Sequence, residues 1–179
     1  EVFDLIATMA WKNGEPGILF LDRINKKNPT PAIGDIETTS PCAELPMLPN
    51  ECAPLGAINV SLFVKEVGNG TREIDYEHLK TVVHHAVHFL DNMIDVNTYP
   101  ALEIEKITKA NRKIGLGIMG FADLLFRMRI PYSSKQALDL AGQLMKFINA
   151  ESKKASTALA ETRGPFPNFE KSIHNRRKN

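Results

Sequence analysis

Cys42 and Glu44 stand two residues apart in Thr39-Ser40-Pro41-Cys42-Ala43-Glu44-Leu45-Pro46, and the second cysteine, Cys52, follows ten residues later. On an extended backbone, residues i and i+2 point to the same side, so a thiol and a carboxylate at this spacing can face one substrate. A carboxylate held within hydrogen-bond reach can take a hydroxyl proton. Two thiols can deliver two electrons and become a disulfide. The segment therefore allows a redox reaction on a hydroxylated substrate. It equally suits a buried loop, since free cysteine often behaves as a small core hydrophobe. Prolines at 41, 46, 49 and 54 fix φ and restrict the residue before each, so the backbone here is rigid and non-helical.

Two other patterns compete for attention. Gly115-Leu116-Gly117-Ile118-Met119-Gly120 has the glycine spacing of a dinucleotide fingerprint. That fingerprint needs a preceding strand, a following helix and an acid about twenty residues on. Only Ile114 precedes it as an apolar residue, and Asp139 falls inside a predicted helix. Close backbone packing is the better account of these glycines. His84 and His88 lie one helical turn apart, but His85 stands where a zinc protease has its glutamate, and no third ligand is evident. No metal is expected.

The totals narrow the classes. A length of 179 residues suits one domain or a large piece of one, and 43% apolar residues suffice for a core. Lys and Arg number 22 against 21 Asp and Glu, so no global polyanion-binding signature exists; no nucleic-acid polymer is expected. The basic cluster Arg176, Arg177 and Lys178 reads as a solvated tail. Two cysteines do not make a secreted disulfide framework and fit a reducing, cytoplasmic compartment. No run approaches the roughly 18 apolar residues of a membrane span. The chain opens at Glu1 in what reads as mid-helix, without a signal peptide, which suggests a segment of a longer protein.

Several elements must position the candidate residues. Val2, Phe3, Ile6, Met9 and Ala10 share a face of a helix over 1–13, ended by Asn13-Gly14. Gly17–Leu21 reads as a buried strand and 25–39 as an ordered loop. Ile58, Val60, Leu62 and Val64 alternate as in a half-buried strand, before a turn at Val67-Gly68-Asn69-Gly70. Asp75 caps a helix whose apolar face is Leu79, Val82, Val83, Ala86, Leu90, Met93 and Ile94. Pro100 opens a second helix reaching about Lys113, and a short one spans about Ala122–Met128. Ser133 with Gln136 forms a capping-box pattern for a long helix that buries Ala137, Leu140, Ala141, Leu144, Ile148 and Ala155 and stops at Gly164-Pro165. The picture is α/β and helix-rich.

Together these residues resemble the catalytic chain of ribonucleotide reductases, most closely the adenosylcobalamin-dependent class. Phe20-Leu21-Asp22-Arg23-Ile24-Asn25, Asn28-Pro29-Thr30-Pro31 and Gly34-Asp35-Ile36-Glu37 are similar to the approach to that family's N-P-C-G-E motif. Leu55-Gly56-Ala57-Ile58-Asn59 resembles its L-G-S-I-N segment. Phe89–Asp95 with Tyr99-Pro100, Arg112–Gly117 with Met119-Gly120, and Arg163–Pro167 also match. The resemblance implies a partial ten-stranded α/β barrel, one domain over 1–179, with a finger loop at about 38–56. It implies that Cys42 forms a thiyl radical that takes the ribose 3′ hydrogen. Glu44 then takes the 3′-hydroxyl proton, the 2′-hydroxyl leaves as water, and a cysteine pair supplies the electrons. Adenosylcobalamin is the implied radical source. A ribonucleoside di- or triphosphate, a dithiol reductant such as thioredoxin, the rest of the reductase chain and a second copy are the implied partners.

The sequence departs from the family pattern at two points. The substrate-binding Asn of the motif is Ser40 here, with a shorter side chain and fewer donors. Aligned on Leu55-Gly56, the redox cysteine position falls on Ala53, so Cys52 is a redox candidate displaced by one residue, which on a strand turns a side chain to the other face. The upstream redox cysteine and the downstream phosphate loop, which Asn175–Asn179 resembles the approach to, lie outside these residues. A fragment inactive alone is therefore expected. A degenerate homologue serving as a binding or scaffold module is the alternative.

Overall fold

The structure is a computed structural model that describes residues 1–175. The basic cluster at Arg176, Arg177 and Lys178, and the rest of the stretch through Asn179, lie outside the described residues. The chain gathers into two compact units, Glu1–Pro49 with the stretch from Lys171, and Asn50–Glu170.

In the first unit, α1 (Val2–Asn13) ends at Gly14, whose φ of 84° is the left-handed conformation the Asn-Gly pair anticipates. The helix forms as read, yet none of its residues is buried. The expected strand at Gly17–Leu21 does not exist. Residues 15–20 are irregular and α2 (Leu21–Asn25) follows, with Ile18, Leu19 and Phe20 exposed. A strand exists only by pairing, and among the described residues nothing pairs with this run. The loop after α2 is ordered, as its composition suggests, and two asparagine side chains order it. Asn25 donates to the carbonyl of Ile36 at 2.9 Å and accepts from its N–H at 2.7 Å, replacing a strand partner. Asn28 donates to the Gly34 carbonyl and accepts from the Thr30 N–H. The loop leads into a hairpin of β1 (Thr38–Thr39) and β2 (Pro46–Met47).

The second unit is built on a parallel pair, β3 (Leu55–Asn59) beside β6 (Gly115–Met119), in register Leu55↔Gly115 through Asn59↔Met119. Parallel strands need a crossover. Here it comprises a 3₁₀ turn (Val60–Phe63), the hairpin β4 (Val64–Glu66) and β5 (Arg72–Ile74), then α3 (Tyr76–Val96) and α4 (Leu102–Asn111). After β6 come α5 (Phe121–Met128) and α6 (Lys135–Arg163). The strand expected from Ile58 to Val64 is thus two strands divided by a turn. The Asn59 side chain causes the break by accepting from the N–H and hydroxyl of Ser61, offering the backbone an alternative to a ladder. Gly115 and Gly117 lie within β6 and Gly120 directly after it, in keeping with close backbone packing rather than a dinucleotide fingerprint.

One face of the β3–β6 pair is covered and the other is open. Ile58, Leu116 and Ile118 join Leu79 and Val83 of α3 and Leu144 and Ile148 of α6 in one core. On the other face Leu55 and Met119 are more than half exposed. The buried stripe of α3 is Leu79, Val83, Val87, Leu90 and Ile94, so Val87 joins the face expected from the period while Val82, Ala86 and Met93 are only half-buried. Asp75 caps α3 as read, accepting from the His78 N–H. Pro100 precedes the N-cap Ala101 and so lies just outside α4. Ser134, not Ser133, caps α6, accepting from the Ala137 N–H at 3.1 Å. Among the described residues the strands form three two-stranded sheets and no closed barrel.

Gly120 joins β6 to α5 at φ 72°, and a Cβ placed there would lie 2.2 Å from Asn59 Oδ1. Gly120→Ala should therefore destabilise the full-length protein by about 2 kcal/mol or more, through both positive φ and overlap with the Asn59 cap. A lowered urea midpoint with unchanged slope checks this; an unchanged midpoint contradicts it.

Candidate functional site

The Thr38–Met47 hairpin carries Ser40, Cys42 and Glu44 across a tight turn. Ser40 is the hub of that turn. Its N–H donates to the Leu45 carbonyl at 3.0 Å, its carbonyl accepts from the Ala43 N–H at 2.9 Å, and its hydroxyl accepts from the Leu45 N–H at 3.0 Å. Ala43 takes φ 65°, left-handed for a residue with a Cβ, where the resembled motif has glycine. The extended backbone expected through Cys42 and Glu44 is therefore absent, because the chain reverses within four residues. The Ser40 hydroxyl foremost, then the N–H groups of Glu44 and Cys42, hold the Glu44 carboxyl below the ordinary carboxylate value against an opposing effect of burial. Pro41 through Glu44 are exposed, Ser40 is half-buried, and the Cys42 thiol is free.

Cys52 belongs to the other unit. Its N–H donates to Thr108 Oγ1 of α4 at 3.1 Å, and that hydroxyl donates back to Cys52 Sγ at 3.4 Å. Thr108 itself is fully buried. Cys52 is half-buried and also free. Counting back along the chain from β3, Ala53 shares the parity of Leu55, whose side of the strand is open. The sulfur of Cys52 is instead held against a helix.

Beside Cys52 is Glu51, the second acid of the cysteine segment, and it is buried. Glu51 accepts from Asn111 at 2.8 Å and pairs with the Lys113 ammonium, while Asn168 donates to Asn111 Oδ1. A larger network joins α3, α4 and the end of α6. Arg112, left-handed at φ 47°, reaches Asp91 and Asp95, and Arg163 reaches Asp91 and the His88 ring. A signal for it existed: His88, Asp91 and Asp95 recur at three- and four-residue intervals along α3. A cleft of about 490 Å³ opens beside it, lined in part by Ile114, Leu159 and Phe166. His84 pairs with the buried Glu151 of α6 at 3.0 Å, so His84 and His88 turn to different partners. Among the described residues no group of three or more His, Cys, Asp or Glu is placed to hold a metal ion. Among them, too, no helix is long and apolar enough to cross a membrane.

With this geometry in hand, the chain belongs to the ribonucleotide reductase family: the family model described as "Ribonucleotide reductase, barrel domain" matches residues 1–179. It is 50% identical over 167 residues to the vitamin B12-dependent ribonucleoside-diphosphate reductase of Thermoplasma acidophilum, a match covering 93% of this chain and 21% of that protein. It is 46% identical over 169 residues to a reductase of the same name from Mycobacterium tuberculosis, covering 94% of this chain and 24% of that one. The chain thus spans about a fifth to a quarter of these relatives. Among solved structures it is similar to the class Id ribonucleotide reductase alpha subunit of Actinobacillus ureae, with a TM-score of 0.75 over 92% of this chain and 32% of that one. At 20% identity that likeness carries the fold.

The Arg112 network has a pH signature. Arg112 holds the Asp95 carboxyl below its ordinary value of 3.8, mainly through direct hydrogen bonds. The folded pKa lies below the unfolded one, so the pair adds stability above the unfolded value and loses it as pH falls through the folded one. Asp95→Asn should lower the unfolding midpoint of the full-length protein at pH 7 by an amount worth within about 1 kcal/mol, since Asp95 is half exposed. That difference should shrink below about pH 4. A pH-independent difference contradicts the pairing.

Proposed function

We propose that these residues are the part of a ribonucleotide reductase catalytic chain that presents the radical cysteine and its carboxylate to the ribose. The carrying observation is the Ser40–Leu45 turn, which leaves Cys42 exposed two residues from a Glu44 carboxyl held below its ordinary pKa. In this reading residues of about 38–56 are the finger loop, and the open face of β3 and β6 lines a ten-stranded barrel. The whole chain is a single domain of that barrel. Cys42, as a thiyl radical, takes the hydrogen atom from C3′. Glu44 takes the proton of the 3′-hydroxyl, which its lowered pKa leaves it ionised to do at neutral pH. The 2′-hydroxyl leaves as water, and a cysteine pair supplies two electrons by becoming a disulfide.

Adenosylcobalamin, when bound, supplies the radical; the names of the similar reductases support it as the source. The exposure of the Cys42 thiol fits that use, since a buried sulfur could not be oxidised from outside the turn. The substrate is a ribonucleoside diphosphate or triphosphate, reduction is renewed by a dithiol such as thioredoxin, and the protein acts in the cytoplasm, as a homodimer in the assembled enzyme. Cys52, held by Thr108, acts as a structural thiol, and the reducing pair stands on cysteines other than these two. The same observation favours a second reading, in which a homologue that has lost its reductant serves as a nucleotide-binding module.

Turnover of the full-length protein with adenosylcobalamin, a ribonucleoside diphosphate and dithiothreitol separates these readings. Cys42→Ser should abolish deoxynucleotide formation, on the order of a 10³-fold loss or more, since no other group can form the radical. Cys52→Ser, whose hydroxyl can keep the Thr108 bond, should stay within about threefold of wild type. Wild-type protein that binds nucleotide and cofactor but never turns over favours the module. Loss of activity in Cys52→Ser restores it to the redox pair.

A further inference from the structure

Ser40 and Leu45 face each other across the turn, one step inside the Thr39↔Pro46 pair. In an ordinary antiparallel ladder two residues bonded in this way exchange both of their N–H to carbonyl bonds. Here the backbone makes one: the Ser40 N–H donates to the Leu45 carbonyl at 3.0 Å. The Ser40 carbonyl is not free to return the other. A carbonyl has two lone pairs, and these accept from the Ala43 N–H at 2.9 Å and from the Thr39 hydroxyl at 2.8 Å. The Leu45 N–H turns instead to the Ser40 hydroxyl oxygen, at 3.0 Å. A side-chain oxygen thus stands in for a backbone carbonyl. The carbonyl is taken because the chain tightens at Ala43, and it does so with φ 65° on a residue that has a Cβ. Left-handed backbone is disfavoured for alanine and open to glycine.

We infer that Ser40 and Ala43 are a matched pair that positions Cys42: the Ser40 hydroxyl holds closed a turn that Ala43 strains, and so fixes where the thiol between them sits. Cys42 is exposed, so its direction is set by the backbone of the turn and not by packing around its sulfur. Pro41 restricts that backbone on one side of the cysteine and the left-handed Ala43 on the other. These are also the two places where the turn departs from the resembled motif, which has asparagine at 40 and glycine at 43. The first departure offsets the second. Ser40 is then a positioning residue, acting through the Leu45 N–H and the closure of the turn rather than by contact with the ribose. This rests on the reductase reading of the site, in which the sulfur must stand within reach of one hydrogen of the substrate.

The test compares Ser40→Ala, Ser40→Thr, Ala43→Gly and the double variant Ser40→Ala/Ala43→Gly in the full-length protein. One readout needs no turnover: amide hydrogen exchange at Leu45, resolved by fragmentation mass spectrometry. Ser40→Ala should speed it roughly five- to tenfold, the worth of one hydrogen bond. Ser40→Thr, which keeps the hydroxyl, should match wild type. Ala43→Gly should slow it, and the double variant should return to within about threefold of wild type. The other readout is kcat and KM with adenosylcobalamin, a ribonucleoside diphosphate and dithiothreitol. In Ser40→Ala kcat should fall on the order of tenfold or more while KM stays within about twofold. Ser40→Thr and the double variant should both recover most of that loss. Unchanged Leu45 exchange in Ser40→Ala overturns the inference. A raised KM at unchanged kcat also overturns it, because that is the mark of a lost substrate contact, and so does a double variant no better than Ser40→Ala. Where Ser40→Ala does not fold, Ala43→Gly carries the test: slower Leu45 exchange upholds the pair and unchanged exchange overturns it. A protein that never turns over, yet shows Leu45 exchange in the expected order, upholds the pair and fails the reductase reading instead.

Discussion

The parallel pairing of Leu55–Asn59 with Gly115–Met119 is the constraint on which the larger unit depends. Two parallel strands cannot be joined by a tight turn, so everything from Val60 to Ile114 is the return path. That path supplies α3, whose stripe from Leu79 to Ile94 covers one face of the pair. It also supplies α4, whose end brings Arg112 to Asp91 of α3 and Lys113 to Glu51 ahead of β3. Asn59 and Gly120 fix the ends of the two strands against each other, the first as a cap, the second by having no side chain to collide with it. One face packed and one face open is then a consequence of where the helices fall.

The smaller unit meets a different constraint, which is to hold a thiol and a carboxylate exposed and still ordered. Its hairpin has only two residues on each strand, so the turn must hold itself. It does so through one serine, with Ala43 accepting a left-handed backbone at a cost of about 1–2 kcal/mol. The result is an exposed thiol whose neighbouring carboxylate stays ionised without help from any positive charge. A neutral turn of this kind leaves the carboxylate free to accept a proton, whereas an arginine partner would hold it ionised too firmly to act as a base.

Much of this was legible in the sequence, and the failures have identifiable causes. Asp75, Gly14 and the 3.6 period of α3 carried their own local signals, and the structure follows them. Residue type points to Cys42 and Glu44, but the backbone between them is not extended, because Ser40 bonds back to Leu45 and reverses the chain. Gly17–Leu21 looked like a strand because a short apolar run cannot announce whether a partner strand is at hand. The division at Val60 turned on a single asparagine side chain that periodicity ignores. The pairings of Glu51 and Glu151 were not legible, because their partners lie about 60 to 70 residues away, whereas the Arg112 network left a partial signal in the helical spacing of His88, Asp91 and Asp95.

The central claim is that the chemistry of this chain begins at the sulfur of Cys42. Its most direct test is rapid-freeze electron paramagnetic resonance on the full-length protein, mixed with adenosylcobalamin, a ribonucleoside diphosphate and a dithiol, with cysteine deuterated at Cβ in a parallel sample. The account predicts a sulfur-centred radical whose signal narrows on deuteration, persists in Cys52→Ser and vanishes in Cys42→Ser. A sulfur radical that survives in Cys42→Ser would contradict it.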